Sequence, residues 1–167
     1  MLLIEWSRTL LAQRPGLTLA ALVLGGTALV AMASGWPPER LGLGASKFGL
    51  RVIGGVALGA VLLLPAAARP GAAPLLPAGL ALAAVVVSVG EEVAFRGALY
   101  AALEDIGGAP LAIGGSTVLW TLAHALSHPL PFLGAVAAAG LLLALWRWAC
   151  KDLVAPIIGH VIADLAL

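Results

Sequence analysis

The most informative residues of this sequence are charged side chains that lie where apolar ones are expected. Glu91, Glu92 and Arg96 directly follow the apolar stretch 75–89. Placing one charged side chain at the centre of a bilayer costs about 2.5–3.5 kcal/mol on insertion scales. Three such residues so close together indicate either a structural ion cluster or the reactive part of an intramembrane site.

Helical spacing distinguishes the two glutamates. Glu92 and Arg96 are four residues apart, so they share one helix face and can form an ion pair. Glu91 is rotated by about 100° from Glu92 and is less committed to the arginine. Glu91 is therefore the better candidate for chemistry, and Glu92 with Arg96 is predicted to support it.

Further ionisable residues lie in later apolar stretches. His160 and Asp164 are four residues apart on one predicted helix face, and His124 follows Trp120 by the same spacing. A carboxylate with two imidazoles can activate water. Glu91 would act as general base with His124 orienting it, and His160 with Asp164 would stabilise an oxyanion. His128, just before Pro129, is interpreted as an interfacial histidine without a role.

The composition places these residues in a membrane protein. Hydrophobic residues make up 62% of the 167 residues and charged residues 10%, against about 25% charged residues in soluble domains. At about 20 residues per span, the length predicts an all-α polytopic helix bundle with about six transmembrane helices. The single Cys150 excludes an internal disulfide, and a net charge of +1 gives no support for nucleic-acid binding.

The pattern predicts three segments. Residues 1–15, with Glu5 and Arg8 among leucines, are expected to form a short amphipathic interfacial helix. Residues 16–73 are expected to hold two accessory transmembrane helices, and 74–167 a core of four that carries every candidate site residue. In this core the third span is too long for a straight crossing if it continues to Leu103, so it should emerge from the membrane or bend near Gly90.

Helix rise then predicts one depth for the site. If the fourth span becomes helical at Ser116 and the sixth starts near Asp152, His124 and His160 each lie about 12 Å inside. Glu91 would lie about 10 Å from the same face. That face is predicted to be cytoplasmic, because it has five basic residues against three on the other. The two sets are Arg40, Lys47, Arg51, Arg147 and Lys151 against Arg8, Arg14 and Arg69.

Three short motifs together resemble a known family. Residues 91–96 match EExxxR, 120–124 match FxxxH with tryptophan in place of phenylalanine, and 160–164 match HxxxN/D. In this order, over about 75–167, they resemble the CPBP family of CAAX proteases and bacteriocin-processing proteins, also called ABI, which includes the Rce1-type prenyl protease. The resemblance implies a glutamate-type intramembrane protease whose site opens toward the cytosol.

The resemblance also implies a role for each matching residue. Glu91 would be the general base, His124 its partner in positioning water, and His160 with Asp164 the oxyanion-stabilising pair. Two departures bear on these roles: Trp120 is larger than phenylalanine and would narrow the cavity, and Asp164 instead of asparagine adds a negative charge. The short chain resembles compact bacterial members, which implies a multi-pass protein of the prokaryotic cytoplasmic membrane.

The sequence thus predicts an endopeptidase that cleaves near the membrane surface. Its partners would be the lipid bilayer and a membrane-anchored or lipidated protein or peptide substrate, with no cofactor and no nucleic acid. A zinc-dependent version would use Glu91, His124 and His160 as ligands, although no HExxH spacing is present. Two non-proteolytic functions fit the same residues: a bacteriocin-immunity or assembly factor without catalysis, and a proton-coupled transporter. The lack of an internal repeat weighs against the transporter.

Overall fold

The protein is all-α in a computed structural model that describes residues 1–44, 47–64 and 76–166, and no strand occurs in these ranges. The predicted fold class is confirmed at this level. The expected end of the second span at Arg69 and the start of the third near 74 lie outside the described residues. The helices are α1 (Leu2–Ala12), α2 (Thr18–Ala31), α3 (Pro38–Leu41), α4 (Phe48–Leu62), α5 (Ala78–Glu91), a π-helical segment (Glu92–Leu99), α6 (Tyr100–Ala123), a 3-10 turn (His124–Leu126), α7 (Leu130–Cys150) and α8 (Val154–Ala166).

Two helical stretches of the described chain are long and apolar enough to cross a membrane. They are Ala78–Leu126, with a mean hydropathy of 1.8, and Leu130–Cys150, with 1.7. The apolar helices α2, α4 and α8 have 14, 15 and 13 residues, fewer than a straight crossing needs. The number of about six spans stays a prediction.

The longest stretch is a helical hairpin. The helix runs without interruption through Gly90 and the π-helical segment, and it breaks only at Gly107 and Gly108. The φ of Gly108 is +69°, a value that favours glycine. The chain then reverses, so that a Cβ at Gly115 would touch Leu103. The predicted connection at 104–108 is therefore present, but the helix carrying His124 begins beside Gly108 and not at Ser116. The helix start assumed in estimating the depth of His124 was therefore wrong.

The hairpin, and not an equal depth below one membrane face, brings the first two motifs together. Glu91 lies 16 residues before Gly107, and His124 lies 16 residues after Gly108. Because the arms run antiparallel and hold the same number of residues, the two side chains reach a similar level. Symmetry about the glycine pair, and not a common distance from a membrane face, places them side by side.

The N-terminal helices pack closely against this hairpin. At the crossing of α2 and α5, a Cβ at Gly90 would lie 2.4 Å from the carbonyl oxygen of Gly26, so only glycine permits this approach. Helix α1 packs on α2. An interfacial helix would turn its charged face toward the headgroups, but Glu5 on α1 is only 1% exposed. The charged face of α1 is therefore directed into the protein.

Candidate functional site

Both carboxylate oxygens of Glu91 have partners. The indole Nε1 of Trp120 donates a hydrogen bond of 2.8 Å to Oε2, and His124 Nε2 lies 3.6 Å from the same oxygen. Nη2 of Arg8 donates to Oε1 at 2.9 Å. Glu91 is 2% exposed, so these groups provide its surroundings in place of water. The sequence predicted His124 as the partner of Glu91, whereas the hydrogen bond from Trp120 was not predicted and Arg8 was not among the predicted site residues.

The second glutamate forms a separate buried cluster. Arg96 Nη1 and His160 Nδ1 both lie 2.9 Å from Oε1 of Glu92. The ion pair predicted from the four-residue spacing is therefore present, and the side chains of Glu92 and Arg96 are both 0% exposed. This cluster lies in the π-helical segment, a wider helix that is often found at functional sites. Glu92 joins the first motif to the third through His160.

The third motif connects back to α5. His160 Nε2 lies 3.5 Å from Oδ2 of Asp164, and Ser88 Oγ donates to that same oxygen at 2.7 Å. Ser88 was not identified from the sequence, although it lies four residues before Glu92 and on the same helix face. Asp164 is thus held between α5 and α8.

Trp120 occupies the centre of the two clusters. Its ring lies 4.5 Å from the ring of His124 and 5.6 Å from that of His160, measured between centroids. The guanidinium carbon of Arg96 is 4.1 Å from the Trp120 ring centroid, a cation–π contact. A phenylalanine could make the ring contacts but could not donate to Glu91. The substitution in the motif therefore adds a hydrogen bond to the glutamate.

An apolar cavity of about 530 Å³ adjoins the site. Trp120, His124, His160 and Asp164 line it together with apolar residues of α4 and α7. Glu91 lies behind Trp120 and His124 and is not among the described residues of the wall. Water in the cavity therefore meets the histidines first.

The position of the cavity differs from the predicted opening. Its wall includes Val61 and Leu62 at the end of α4, the C-terminal half of α8, and α7 from Phe132 to Leu143. Four basic residues of the predicted cytoplasmic face, Lys47, Arg51, Arg147 and Lys151, lie at the other ends of these helices. One of them, Arg147, is buried and donates to the carbonyl oxygen of Arg96, so it packs inside the protein against the π-helical segment. The cavity thus lies in the half of the bundle farther from that face.

His128 also belongs to the cavity wall. Its ring stacks on Phe132 with centroids 5.0 Å apart and lies 5.4 Å from His124. Burial, followed by the charge of His124, lowers the pKa of His128 below its usual value. Its neutral ring extends the row of aromatic side chains that begins at Trp120, a feature that the sequence did not reveal.

Glu5 and Arg8 could have been identified as candidates from the sequence, because they are charged residues in an apolar segment, like residues 91–96. Glu5 and Arg8 are three residues apart in a leucine-rich helix, and they form an ion pair in the structure. Their burial next to Glu91 links residues 83 positions apart. No local spacing encodes that contact.

The described residues contain no group of three His, Cys, Asp or Glu side chains arranged to hold a metal ion. Of the zinc ligands considered from the sequence, Glu91 adjoins His124, whereas His160 lies against Glu92.

The fold and site define a class of protein. An apolar helix bundle surrounds glutamates, histidines and an aspartate beside a cavity, as expected of a hydrolase that works within a membrane. Residues 73–166 match the family model described as type II CAAX prenyl endopeptidase Rce1-like. The match spans more than half of the chain, and the protein belongs to this family. It is therefore a CAAX-type protease and a membrane protein. No curated protein and no solved structure matches the chain.

Proposed function

We propose that the protein is an intramembrane endopeptidase in which Glu91 is the general base that activates water. The observation that carries this proposal is the placement of Glu91 Oε2 3.6 Å from Nε2 of His124, a residue of the cavity wall behind which Glu91 lies. A general base must come within hydrogen-bond reach of the proton that it removes. A water molecule in the cavity beside His124 can meet that condition for both groups.

The proton transfer follows from this arrangement. Glu91 accepts a proton from the water through Oε2, while His124 orients the water molecule so that a lone pair of its oxygen is directed at the substrate. The resulting hydroxide attacks the carbonyl carbon of the scissile peptide bond, and the proton on Glu91 is available for the departing amine. The hydrogen bond from Trp120 keeps Oε2 oriented toward His124.

His160 is the group proposed to stabilise the oxyanion. Its Nδ1 faces the Glu92 carboxylate, so Nδ1 carries the proton and donates there. Its other nitrogen faces Asp164, which already accepts a hydrogen bond from Ser88. When Nε2 is also protonated, His160 can donate to a developing negative charge in the cavity.

The substrate is proposed to be a membrane-anchored or lipidated protein. The cavity wall is mainly apolar and includes the polar side chains of His124, His160 and Asp164. Such a cavity accommodates an apolar segment or a prenyl chain and presents a nearby peptide bond to the histidines. The protein would act as a multi-pass protein of a prokaryotic cytoplasmic membrane and cut near the membrane surface.

The reaction is proposed to need no metal ion. Arg8 and Trp120 occupy the oxygens of Glu91 that a zinc ion would need, and one oxygen of Glu92, Oε1, is shared by Arg96 and His160. Metal analysis of purified protein, combined with cleavage assays under strong chelation, tests this. Stoichiometric zinc whose removal abolishes cleavage would replace the glutamate mechanism with a zinc mechanism.

Glu91→Gln tests the proposal, because it keeps the shape of the side chain and removes the base. Cells with wild-type or variant protein are compared by C-terminal mass spectrometry of membrane proteins. We expect a substrate that changes mass only with the active protein, and a loss of about 10²–10⁴-fold in its cleavage rate. The exposed Glu39→Gln is the matched control and should cleave normally.

The same experiment addresses a non-catalytic role. If Glu91→Gln folds normally and the biological function is unchanged, the protein acts as an immunity or assembly factor that retains the fold.

A further inference from the structure

The residue that reaches Glu91 from outside the family-matched region is Arg8 on α1. Its Nη2 lies 2.9 Å from Glu91 Oε1, and its side chain is 11% exposed. The family match begins at residue 73, so Arg8 belongs to a part of the chain to which no role is assigned. A largely buried arginine on a candidate general base is a contact that requires an explanation.

Because of the contact with Arg8, the two carboxylate oxygens of Glu91 have different partners. Arg8 holds Oε1, whereas Oε2 receives the indole hydrogen bond of Trp120 and adjoins His124. With one oxygen fixed, rotation about the last side-chain bond of Glu91 is restricted. The other oxygen then stays directed at His124, where a general base must be directed.

The surroundings of Arg8 are shaped to hold it there. A Cβ at Gly25 would lie 2.5 Å from Cδ of Arg8, so α2 leaves room for the arginine only because this residue is glycine. Glu5, one turn earlier on α1, forms a second ion pair with Arg8. Trp6 donates to the carbonyl oxygen of Leu122 at 3.1 Å and attaches α1 to the helix that carries His124.

Arg8 does not obstruct the cavity. The described wall residues come from α4, α6, the turn at 124–128, α7 and α8, and α1 contributes none of them. Arg8 therefore approaches Glu91 from the side away from the cavity. A helix that blocked substrate would have to lie on the cavity side, so the geometry favours support of the base over inhibition.

We propose that Arg8 is a positioning residue for the reaction, holding the Glu91 carboxylate so that Oε2 faces His124. The inference rests on the proposed function of Glu91. In this arrangement the N-terminal helix completes a site whose other groups come from the family-matched core.

The kinetic test uses the full chain reconstituted in lipid vesicles with a farnesylated peptide that ends in a CAAX sequence. For Arg8→Ala we expect kcat to fall by about 100-fold and KM to stay within about twofold, because misdirection of the base affects the reaction step. Arg8→Lys should recover part of kcat. Arg14→Gln, an exposed arginine just after α1, is the matched control and should behave as wild type.

Chemical rescue gives a readout that a purely structural role would not change. Guanidinium chloride at low concentration should restore part of kcat in Arg8→Ala, and urea, its neutral counterpart, should not. An unchanged kcat in Arg8→Ala, or a higher one that would make α1 a brake, overturns the inference. So does an effect on KM alone.

Thermal unfolding tests the contact without any substrate. Arg8→Gln and Glu91→Gln should each lower the unfolding midpoint, and the double variant should shift by less than the sum of the two. Additive shifts would overturn the inference. Full cleavage by Glu91→Gln would instead overturn the proposed function. If wild type does not cleave the peptide, the proposed substrate class fails and the unfolding measurements alone decide on Arg8.

Discussion

The N-terminal region, residues 1–64, and the core, residues 76–166, contribute to the site in different ways. The core carries the three motifs, whose partners are four residues apart, lie across one hairpin, or, for Glu92 and His160, join the π-helical segment to α8. The N-terminal region carries no motif, and its contact with Glu91 is made by one arginine, Arg8, over 83 positions. The two regions hold different oxygens of the same carboxylate.

This difference separates two requirements of a buried acid–base site. The groups that react have to share a helix face or a hairpin level, which local spacing provides. A group that balances the charge of a buried carboxylate needs only a side chain long enough to reach it, and any adjacent helix can supply such a group. The core therefore has a recognisable pattern, and the N-terminal region supports it without one.

The largest effect is expected inside the core, from Arg96→Met. The substitution leaves the Glu92 carboxylate buried with only His160 as a partner, and breaking a buried ion pair costs about 3–5 kcal/mol. Denaturation in detergent should therefore show severe loss of stability, even with α1 present. A variant as stable as wild type would mean that the core does not depend on this pair.

A smaller effect is expected where the two regions meet, from Gly26→Ala. The added methyl group would lie 2.8 Å from the carbonyl oxygen of Val86, so α2 must move away from α5. We expect a loss of about 1–3 kcal/mol in the free energy of unfolding. Gly49→Ala on α4 is the control, because a methyl group there meets nothing within 4 Å. Equal stability of the two variants would contradict a close crossing of α2 and α5.

The smallest effect is expected from Arg40→Gln, which removes the ion pair between Arg40 of the N-terminal region and Asp105 of the core. The two side chains are 45% and 56% exposed, and surface pairs of this kind contribute about 0–1 kcal/mol. Unfolding in low and high salt should show little difference from wild type. A large loss would reveal that the regions depend on this surface contact.

Particular residues show how far prediction from the sequence extended. The pairs Glu92–Arg96 and His160–Asp164 were predicted from spacing, and both pairs are close in the structure. The approach of Glu91 to His124 was also expected, but the helix start used to argue it was wrong because the chain reverses at Gly107–Gly108. Helix starts are the least certain part of such an argument, since each residue of error moves a side chain by about 1.5 Å.

Other features could not be predicted, because they depend on how helices cross. Arg8 reaches Glu91 only because Gly25, Gly26 and Gly90 allow α1, α2 and α5 to approach closely. Ser88 meets Asp164 only because α5 and α8 are neighbours. Glycine-rich stretches occur along most of this chain, and the sequence does not show which of them will form a crossing.

The sequence by itself determined an apolar all-α chain, the residues able to do acid–base chemistry, and the family to which they belong, because helical periodicity and the cost of burying charge act locally. The tertiary structure alone decided that Trp120 joins the two clusters, that the cavity lies away from the more basic face, and that both oxygens of Glu91 are held. These outcomes depend on helix crossings that join distant residues, and no short stretch of sequence specifies a crossing.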